Sequence, residues 1–323
     1  MNNRLPSVTI IIAARPDQAE INAVVAARQM DYPPELLEII VARGRQPSIQ
    51  RNTALRAARG ELIYFLDDDS VPPPDNLRRT ASHFSDSQVQ IIGGPNLCPP
   101  DAPVLEQVFA LTLGNWIAFG PSRARYAPVG KLRDSGEKEL ILCNLVARRE
   151  TLLEFGGFNE ALYPNEENAL MDEIQKRGGR LLYDPELIVH RRPRGTIKSF
   201  AKMLMTYGRG RAEQVRVHPT SGSVLNFVPP LFCVFLIGLP FLVKMPFLGT
   251  ISLAALGIYV FVVLAQAAAL MPRGGVLRSL ETIPFIVLTH ILYGLGFWRG
   301  LFTKLKTSGN QVRAEVVLEN IAR

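Results

Sequence analysis

Cysteine and histidine are scarce in this chain of 323 residues, which holds three of the first and four of the second. Cys98, Cys143 and Cys233 stand far apart and form no metal or redox pattern, which fits a reducing compartment. The histidines form no cluster. The loop after the first apolar run, Ala13-Ala14-Arg15-Pro16, has no glycine, so the glycine-rich start of a nucleotidyltransferase is missing. No basic segment is interleaved with aromatic residues, which argues against nucleic acid. No internal repeat or low-complexity tract is present. Met1 to Pro6 is polar and leads straight into an apolar run, so no secretory signal is read there, and the soluble part is expected to stay in the cytoplasm.

What the chain does have is unevenly spread. Hydrophobic residues make up 47%, and their excess lies mostly after Ser223. That distribution predicts a soluble region followed by a membrane region. The formal charge is +7, and His190 to Arg216 alone, with eight Lys/Arg against one Glu, accounts for it. A basic block just before apolar segments suits an anionic membrane surface or a diphosphate.

The early part alternates strands and helices. Val8 to Ala14, Leu37 to Val41 and Leu62 to Leu66 are apolar and largely β-branched, as in strands buried on both faces. Ala19 to Met30 and Gln50 to Arg59 read as the helices between them, with Gly60 as a helix stop. This order predicts an α/β fold with a parallel sheet and right-handed crossovers. Further on, Leu77 to Phe84 reads as a helix, Val89 to Gly94 and Leu140 to Val146 as strands, and Glu166 to Arg177 as a helix with Asn165 as its N-cap. Residues 99–138 are expected to form a helix and a mobile loop near a substrate.

The third strand ends in Asp67-Asp68-Asp69, followed by Ser70, Val71 and three prolines. The acids therefore sit at a strand's carboxyl end, where open α/β sheets bind ligands. Side chains alternate along an extended chain, so Asp67 and Asp69 point together and Asp68 points away. Such a pair suits a hard divalent ion, Mg²⁺ or Mn²⁺, which joins carboxylates to phosphate oxygens. A solvated acidic turn is the alternative, and the strand before it and the proline stop after it weigh against that reading. Ile197 to Gln214 reads as an amphipathic basic helix, at a membrane interface or packed on the protein.

Val224–Val243, Phe247–Met271 and Leu280–Trp298 each approach the roughly 20 residues a bilayer requires. Arg273 and Arg278, between the second and third, belong in the cytoplasm by the positive-inside rule, which fits two crossings before them. A third crossing would place Arg299, Lys304 and Lys306 outside. Either the third stretch is re-entrant or the rule yields. The expected organisation is a catalytic domain over 1–196, an interfacial helix and linker over 197–222, a membrane region over 223–302 and a loose polar tail over 303–323.

Several short pieces recur in a known order: Val8 to Ala14 with Arg15; Gln50-Arg51-Asn52 with Ala58-Arg59-Gly60; Phe65 to Asp69; Gly156-Gly157-Phe158-Asn159-Glu160; Glu166-Glu167; Tyr183-Asp184-Pro185; and His190 to Arg194. Together they resemble the family 2 glycosyltransferases of GT-A fold, especially membrane-anchored bacterial members that build exopolysaccharide and lipid-linked glycans. The resemblance covers about Val8 to Arg211. It implies a GT-A, mostly parallel sheet with flanking helices, a nucleotide-sugar donor and inversion at the anomeric carbon. It places the metal on Asp67 and Asp69, with His190 as a candidate third ligand or, equally, a hydrogen-bonded histidine near the sheet edge. It assigns donor contacts to Ala14, Arg15, Arg51 and Asp68. Arg191, Arg192, Arg194, Arg209 and Arg211 are candidates for the donor diphosphate or an acceptor phosphate.

The base is expected in the pair Glu166 and Glu167. Leu170, Met171 and Ile174 lie three, four and seven residues beyond Glu167, so Glu167 is expected to face inward and Glu166 to be rotated away. Three features depart from the family pattern. Val41 is followed by Ala42-Arg43-Gly44-Arg45 rather than an acidic residue, so UDP stands only as the default nucleotide. The acidic pair is Glu-Glu. The Gln-x-x-Arg-Trp signature of processive enzymes is absent, and Tyr207-Gly208-Arg209-Gly210-Arg211 stands in its region, which favours one sugar per encounter.

The expected function is a metal-dependent, inverting transfer to a polyprenyl-linked or polysaccharide acceptor at the inner face of the cytoplasmic membrane. The alternatives are a non-catalytic nucleotide- or lipid-binding partner in glycan assembly and a nucleotidyltransferase.

Overall fold

The computed structural model of the chain describes residues 4–162, 165–217, 219, 221–305 and 315–322. They fall into two compact units. One comprises residues up to Pro99, Ala124–Arg191 and the C-terminal residues from Lys306; the other comprises Pro100–Arg123 and Arg192–Leu305.

The first unit begins with β1 (Val8–Ala14), α1 (Asn22–Arg28), β2 (Leu37–Arg43), α2 (Pro47–Ala57), β3 (Leu62–Asp67), α3 (Asn76–Ala81), β4 (Val89–Gly93) and β5 (Asn96–Leu97). The chain then passes through α4 (Val104–Leu113) and α5 (Trp116–Phe119) of the second unit. It returns as β6 (Arg133–Asp134), β7 (Asn144–Arg148), α6 (Arg149–Glu154), α7 (Glu166–Lys176), β8 (Arg180–Tyr183) and β9 (Val189–His190). The second unit continues with α8 (Ile197–Val217), α9 (Val228–Leu242), α10 (Pro246–Gly274) and α11 (Val276–Phe302), and the chain ends in β10 (Val317–Asn320).

Eight strands form one sheet in the order β10-β2-β1-β3-β7-β4-β8-β6, and β5 pairs with β9 in a small second sheet. From the pairings, β2, β1, β3, β4 and β8 run one way, and β7, β6 and β10 run the other. The sheet is thus mixed and mostly parallel. β1 is buried along nearly its whole length and lies between β2 and β3, as its uninterrupted β-branched run requires. Its alternate residues feed two cores. Ile10 and Ile12 pack with Tyr64 and Leu66 on one face, and Ile11 packs with Ile63 and Phe65 on the other.

Three local expectations shift. Helix α2 starts at Pro47, where a residue with no N–H fits the first helical position, and ends at Ala57. Gly60 is therefore no helix stop. Its amide donates to Thr9 Oγ1 at 2.9 Å, and a Cβ there would lie 2.7 Å from the Val8 carbonyl carbon, so the close approach to β1 requires glycine. The strand expected over 140–146 is β7, displaced toward the C-terminus.

The tail expected to be loose also carries structure. β10 pairs antiparallel with β2, from Val317 opposite Arg43 to Asn320 opposite Ile40, and Arg43 Nε meets Glu319 Oε1 at 2.6 Å. Val316 and Leu318 pack on one core and Ile321 on the other, a period of two inside a stretch that reads as polar.

In the second unit α8 shows its amphipathic pattern. Phe200, Leu204, Gly208 and Ala212, four residues apart, are buried. Phe200 stacks on Phe109 of α4 at 4.1 Å, and Phe109 meets Phe285 of α11 edge-on at 5.0 Å. Val224–Leu242, Pro246–Gly274 and Val276–Phe302 are long and apolar enough to cross a membrane.

Candidate active site

Three consecutive residues of α2 tie the carboxyl ends of the strands together. Gln50 Nε2 donates to the carbonyls of Ala14 at 2.8 Å and Ala42 at 2.6 Å, joining the ends of β1 and β2. Arg51 NH2 lies 2.7 Å from Asp67 Oδ1, and its NH1 lies 3.3 Å from Glu166 Oε1. Asn52 Nδ2 donates to the Phe158 carbonyl at 2.8 Å and to Glu160 Oε1 at 2.9 Å, while its Oδ1 accepts the Phe158 amide at 2.8 Å. The Gly-Gly-Phe-Asn-Glu piece is thus clamped to α2. Gly157, at φ 78°, passes so close to Asn52 that a Cβ would lie 2.5 Å from its Oδ1.

The acids end β3 as expected. Arg191, just past β9, closes over two of them: NH1 lies 3.0 Å from Asp67 Oδ2, and Nε lies 2.6 Å from Asp69 Oδ1. The Asp67 carboxylate is held between two guanidiniums. Removal from water pushes the Asp69 carboxyl above its ordinary range, with Arg191 opposing the rise and the Asp67 charge adding to it. Asp68 is partly buried, and its carbonyl accepts the Ala23 amide at 3.1 Å.

Behind the site runs a buried polar network. Tyr64 Oη donates to Asn144 Oδ1 at 2.9 Å and accepts from Asn76 Nδ2 at 3.3 Å. Asn144 Nδ2 donates to the Leu187 carbonyl at 2.6 Å, and Asn76 Nδ2 to that of Ile188 at 2.7 Å. Each amide thus fixes the chain leading into β9, and with it Arg191.

The glutamates of α7 are reversed relative to expectation. Glu166 is buried, with 2% exposure, and Glu167 is half-exposed. Glu166, Leu170 and Ile174, at a spacing of four, are buried, and so is Met171. A carboxylate enters a core when a partner meets it there, and Arg51 is that partner. Burial, then the neighbouring Glu167 charge, raises the Glu166 carboxyl to about 7, against the pull of Arg51. Asn165 is not the expected cap. It has φ 120°, and its Oδ1 accepts from Asn168 Nδ2 at 2.8 Å rather than from a helix amide.

The remaining expected residues divide. Ala14 is buried and meets its neighbours through its carbonyl, and Arg15 is exposed. His190 pairs through its main chain with Val71, at 2.8 and 2.9 Å. Among the described residues no group of three or more His, Cys, Asp or Glu side chains is placed to hold a metal, so Asp67, Asp69 and His190 do not form such a group here. Arg194, Arg209 and Arg211 belong to the second unit. Arg194 is exposed, Arg209 lies 3.4 Å from Glu213, and Arg211 is buried with NH1 2.9 Å from Gln214 Oε1.

Two basic residues of the segment 99–138, Arg125 and Arg133, hold structure together. Arg125 binds the main chain at Lys138 and Asn168 Oδ1, and Arg133 binds Glu139 and lies over the Tyr183 ring at 4.5 Å. Sequence reasoning missed Asn76 and Asn144. Their only signal is a polar amide inside or beside an apolar run.

This sheet, with acids ending its third strand and a glutamate pair on a later helix, has the GT-A fold. The mannosyltransferase PcManGT from Pyrobaculum calidifontis, solved with GDP-Man and Mn²⁺, is similar over 93% of this chain and 88% of its own, with a TM-score of 0.55 and 17% identity. The chain belongs to glycosyltransferase family 2: the family profile described as "Glycosyltransferase like family 2" matches residues 1–209. A pre-mycofactocin glycosyltransferase of Mycobacterium tuberculosis is 26% identical over 190 residues, which are 55% of this chain and 37% of the relative. The chain thus matches well under half the length of that curated relative. S. aureus TarS 1–349 in complex with UDP is similar over 91% of both chains, with a TM-score of 0.43 and 12% identity.

Proposed function

We propose that this protein is a metal-dependent, inverting, non-processive glycosyltransferase. It moves a sugar from a nucleotide-sugar donor to a lipid-linked or polysaccharide acceptor at the cytoplasmic face of the inner membrane. One observation carries the reading. Asp67, at the carboxyl end of β3, is linked through Arg51 to Glu166, and Glu166 stands next to the half-exposed Glu167. A metal-site carboxylate and a base candidate are thereby held on one rigid frame, as positioning requires.

The donor set fits a hard cation. Asp67 and Asp69 offer carboxylate oxygens and would hold such an ion beside the donor diphosphate. When bound, the ion would offset the charge that develops on the departing diphosphate. Arg191 already supplies cationic charge at these carboxylates and would hold a phosphate oxygen through its planar fork. Glu167 would take the proton of the acceptor hydroxyl as that oxygen attacks the anomeric carbon and the bond to the diphosphate breaks. Arg51 and Glu166 act as positioning residues. Ala14, Arg15 and Asp68 border the donor from the strand ends. The solved relative's GDP-Man and Mn²⁺ support a nucleotide-sugar and a divalent ion here; UDP remains the default nucleotide. The three apolar helices support membrane attachment.

The test is a donor screen on the detergent-solubilised chain, by thermal shift with Mn²⁺ and then by turnover, since a ligand that binds the folded state raises its melting temperature. Release of nucleoside diphosphate, lost on chelation and in Asp67→Asn and Asp69→Asn, is expected. Pyrophosphate release would make the protein a nucleotidyltransferase. Donor binding with no transfer to any lipid or glycan acceptor would make it a non-catalytic partner.

A further inference from the structure

The first observation concerns parity. β10 pairs with β2 inside the same sheet that holds β1 and β3, so residues on both sides of the helical region belong to one folded body. A sheet cannot be shared across a bilayer. The chain between Arg191 and β10 therefore crosses a membrane an even number of times. Among the described residues three helices are long and apolar enough to cross, so at least one of them does not.

The second observation says which. α8 lies along α11 for most of its length. The Phe200 ring is 6.0 Å from that of Phe285. Gly208 faces the Tyr293 carbonyl, Gly296 faces that of Met205 and Gly300 that of Arg209, each so closely that a Cβ would collide. Arg216 NH1 donates to the carbonyls of Gly300 at 3.0 Å and Thr303 at 2.6 Å. The contacts advance together in both helices, so the two run parallel, over about 27 Å of α11 at 1.5 Å per residue. α8 carries Lys198, Lys202, Arg209, Arg211, Glu213 and Arg216. Taking α11 through the hydrocarbon would take this charged helix with it, a cost that membrane proteins avoid.

α9 and α10 pack on α11 at Pro230, Cys233 and Tyr259, which meet Trp298, Ile291 and His290, but their facing ends beyond those contacts carry no charged helix with them. Ile237 and Phe241 of α9 are 70% exposed, and Phe247 of α10 is 76% exposed. Lys244, in the turn between them, is exposed and is the one charged residue from 224 to 271. A hairpin that stopped inside the bilayer would leave that ammonium in hydrocarbon; one that reaches the far side returns it to water. At 29 residues α10 is about 44 Å long, beyond the ~30 Å hydrocarbon core, so its last turns with Arg273 emerge on the near side.

We propose that the chain crosses the lipid bilayer twice, as the α9–α10 hairpin, and that α11 stays with α8 at the membrane surface on the side of the sheet. Arg273, Arg278, Arg299 and Lys304 then all lie on that side and Lys244 lies opposite, as the positive-inside rule requires.

The test is cysteine accessibility in intact cells with a membrane-impermeant maleimide, using the full chain and its native cysteines as the background control. Lys244 and Lys304 are both exposed, so Lys244→Cys and Lys304→Cys leave packing untouched. Position 244 should label in intact cells, and position 304 only after lysis. Labelling of 304 from outside would mean an odd number of crossings, and 244 labelling only after lysis would mean none; either overturns the proposal. The readout needs no turnover, so its failure leaves the proposed chemistry standing.

Discussion

Arg191 Nε lies 2.6 Å from Asp69 Oδ1, while the same guanidinium reaches Asp67 Oδ2 at 3.0 Å. One cation thus offsets two of three consecutive carboxylates. Arg191→Ala leaves Asp69 without its counter-ion and Asp67 with Arg51 alone. Its melting temperature is expected below that of the parent protein in chelator, with the gap narrowing in Mn²⁺ as the ion takes over the neutralisation. A gap of equal size in both media would show that Asp67 and Asp69 do not share an ion.

Arg51 is a different case, because it is buried and bonded to Asp67 and Glu166. Arg51→Met keeps the aliphatic stem and strips a counter-ion from both carboxylates. Breaking a buried pair by removing one partner costs about 3–5 kcal/mol. Protonation of Glu166 relieves part of that, so a value near the lower end is expected in denaturant unfolding at neutral pH. A loss under about 1 kcal/mol would show that the pair is solvated.

How much of this was legible beforehand varies with the range of the interaction. The buried strands and their terminal acids can be read directly, because a strand covered on both faces must be an unbroken apolar run. Gln50-Arg51-Asn52 can be read as a motif but not as a hinge of the site, since its partners include Glu166 and Phe158, more than 100 residues away. The orientation of α7 was ambiguous in the sequence. Leu170 and Ile174 lie four and eight residues from Glu166 but three and seven from Glu167, and both spacings share a helix face. Arg51 breaks the tie, and no local pattern reveals that. β10 went unread because its four residues gain their stability from the edge of β2, not from their own composition.

The raised Glu166 carboxyl makes stability depend on pH. The folded state holds this proton up to about pH 7, whereas the unfolded chain releases it near 4.5. Between those values the folded state binds more protons, so this group's contribution is complete below pH 4.5 and is lost as pH rises toward 7. Glu166→Gln removes the titration. The melting temperature of the variant relative to the parent is expected to rise between about pH 4.5 and 7 and then level off. A difference that stays flat across that window would mean that Glu166 titrates normally.

The same two glutamates allow the base to be tested. The simplest alternative is that both only complement the dipole of α7, as acids in a first turn do. In that case neither affects turnover beyond its effect on folding. The geometry argues for a division of labour. Glu166 is buried, committed to Arg51 and readily protonated near neutral pH, so glutamine resembles one of its natural states. Glu167, on the adjacent position, is partly exposed, as a base that meets an acceptor hydroxyl must be. A general base contributes roughly 10²–10⁴-fold to rate. Glu167→Gln is therefore expected to lower kcat by that order while the thermal shift given by the donor survives. Glu166→Gln should cost about tenfold or less, mostly through the looser hold on Arg51 and Asp67. The reverse ranking, with donor binding intact in both variants, would pass the role to Glu166 and make Glu167 an ordinary surface acid of the first helical turn.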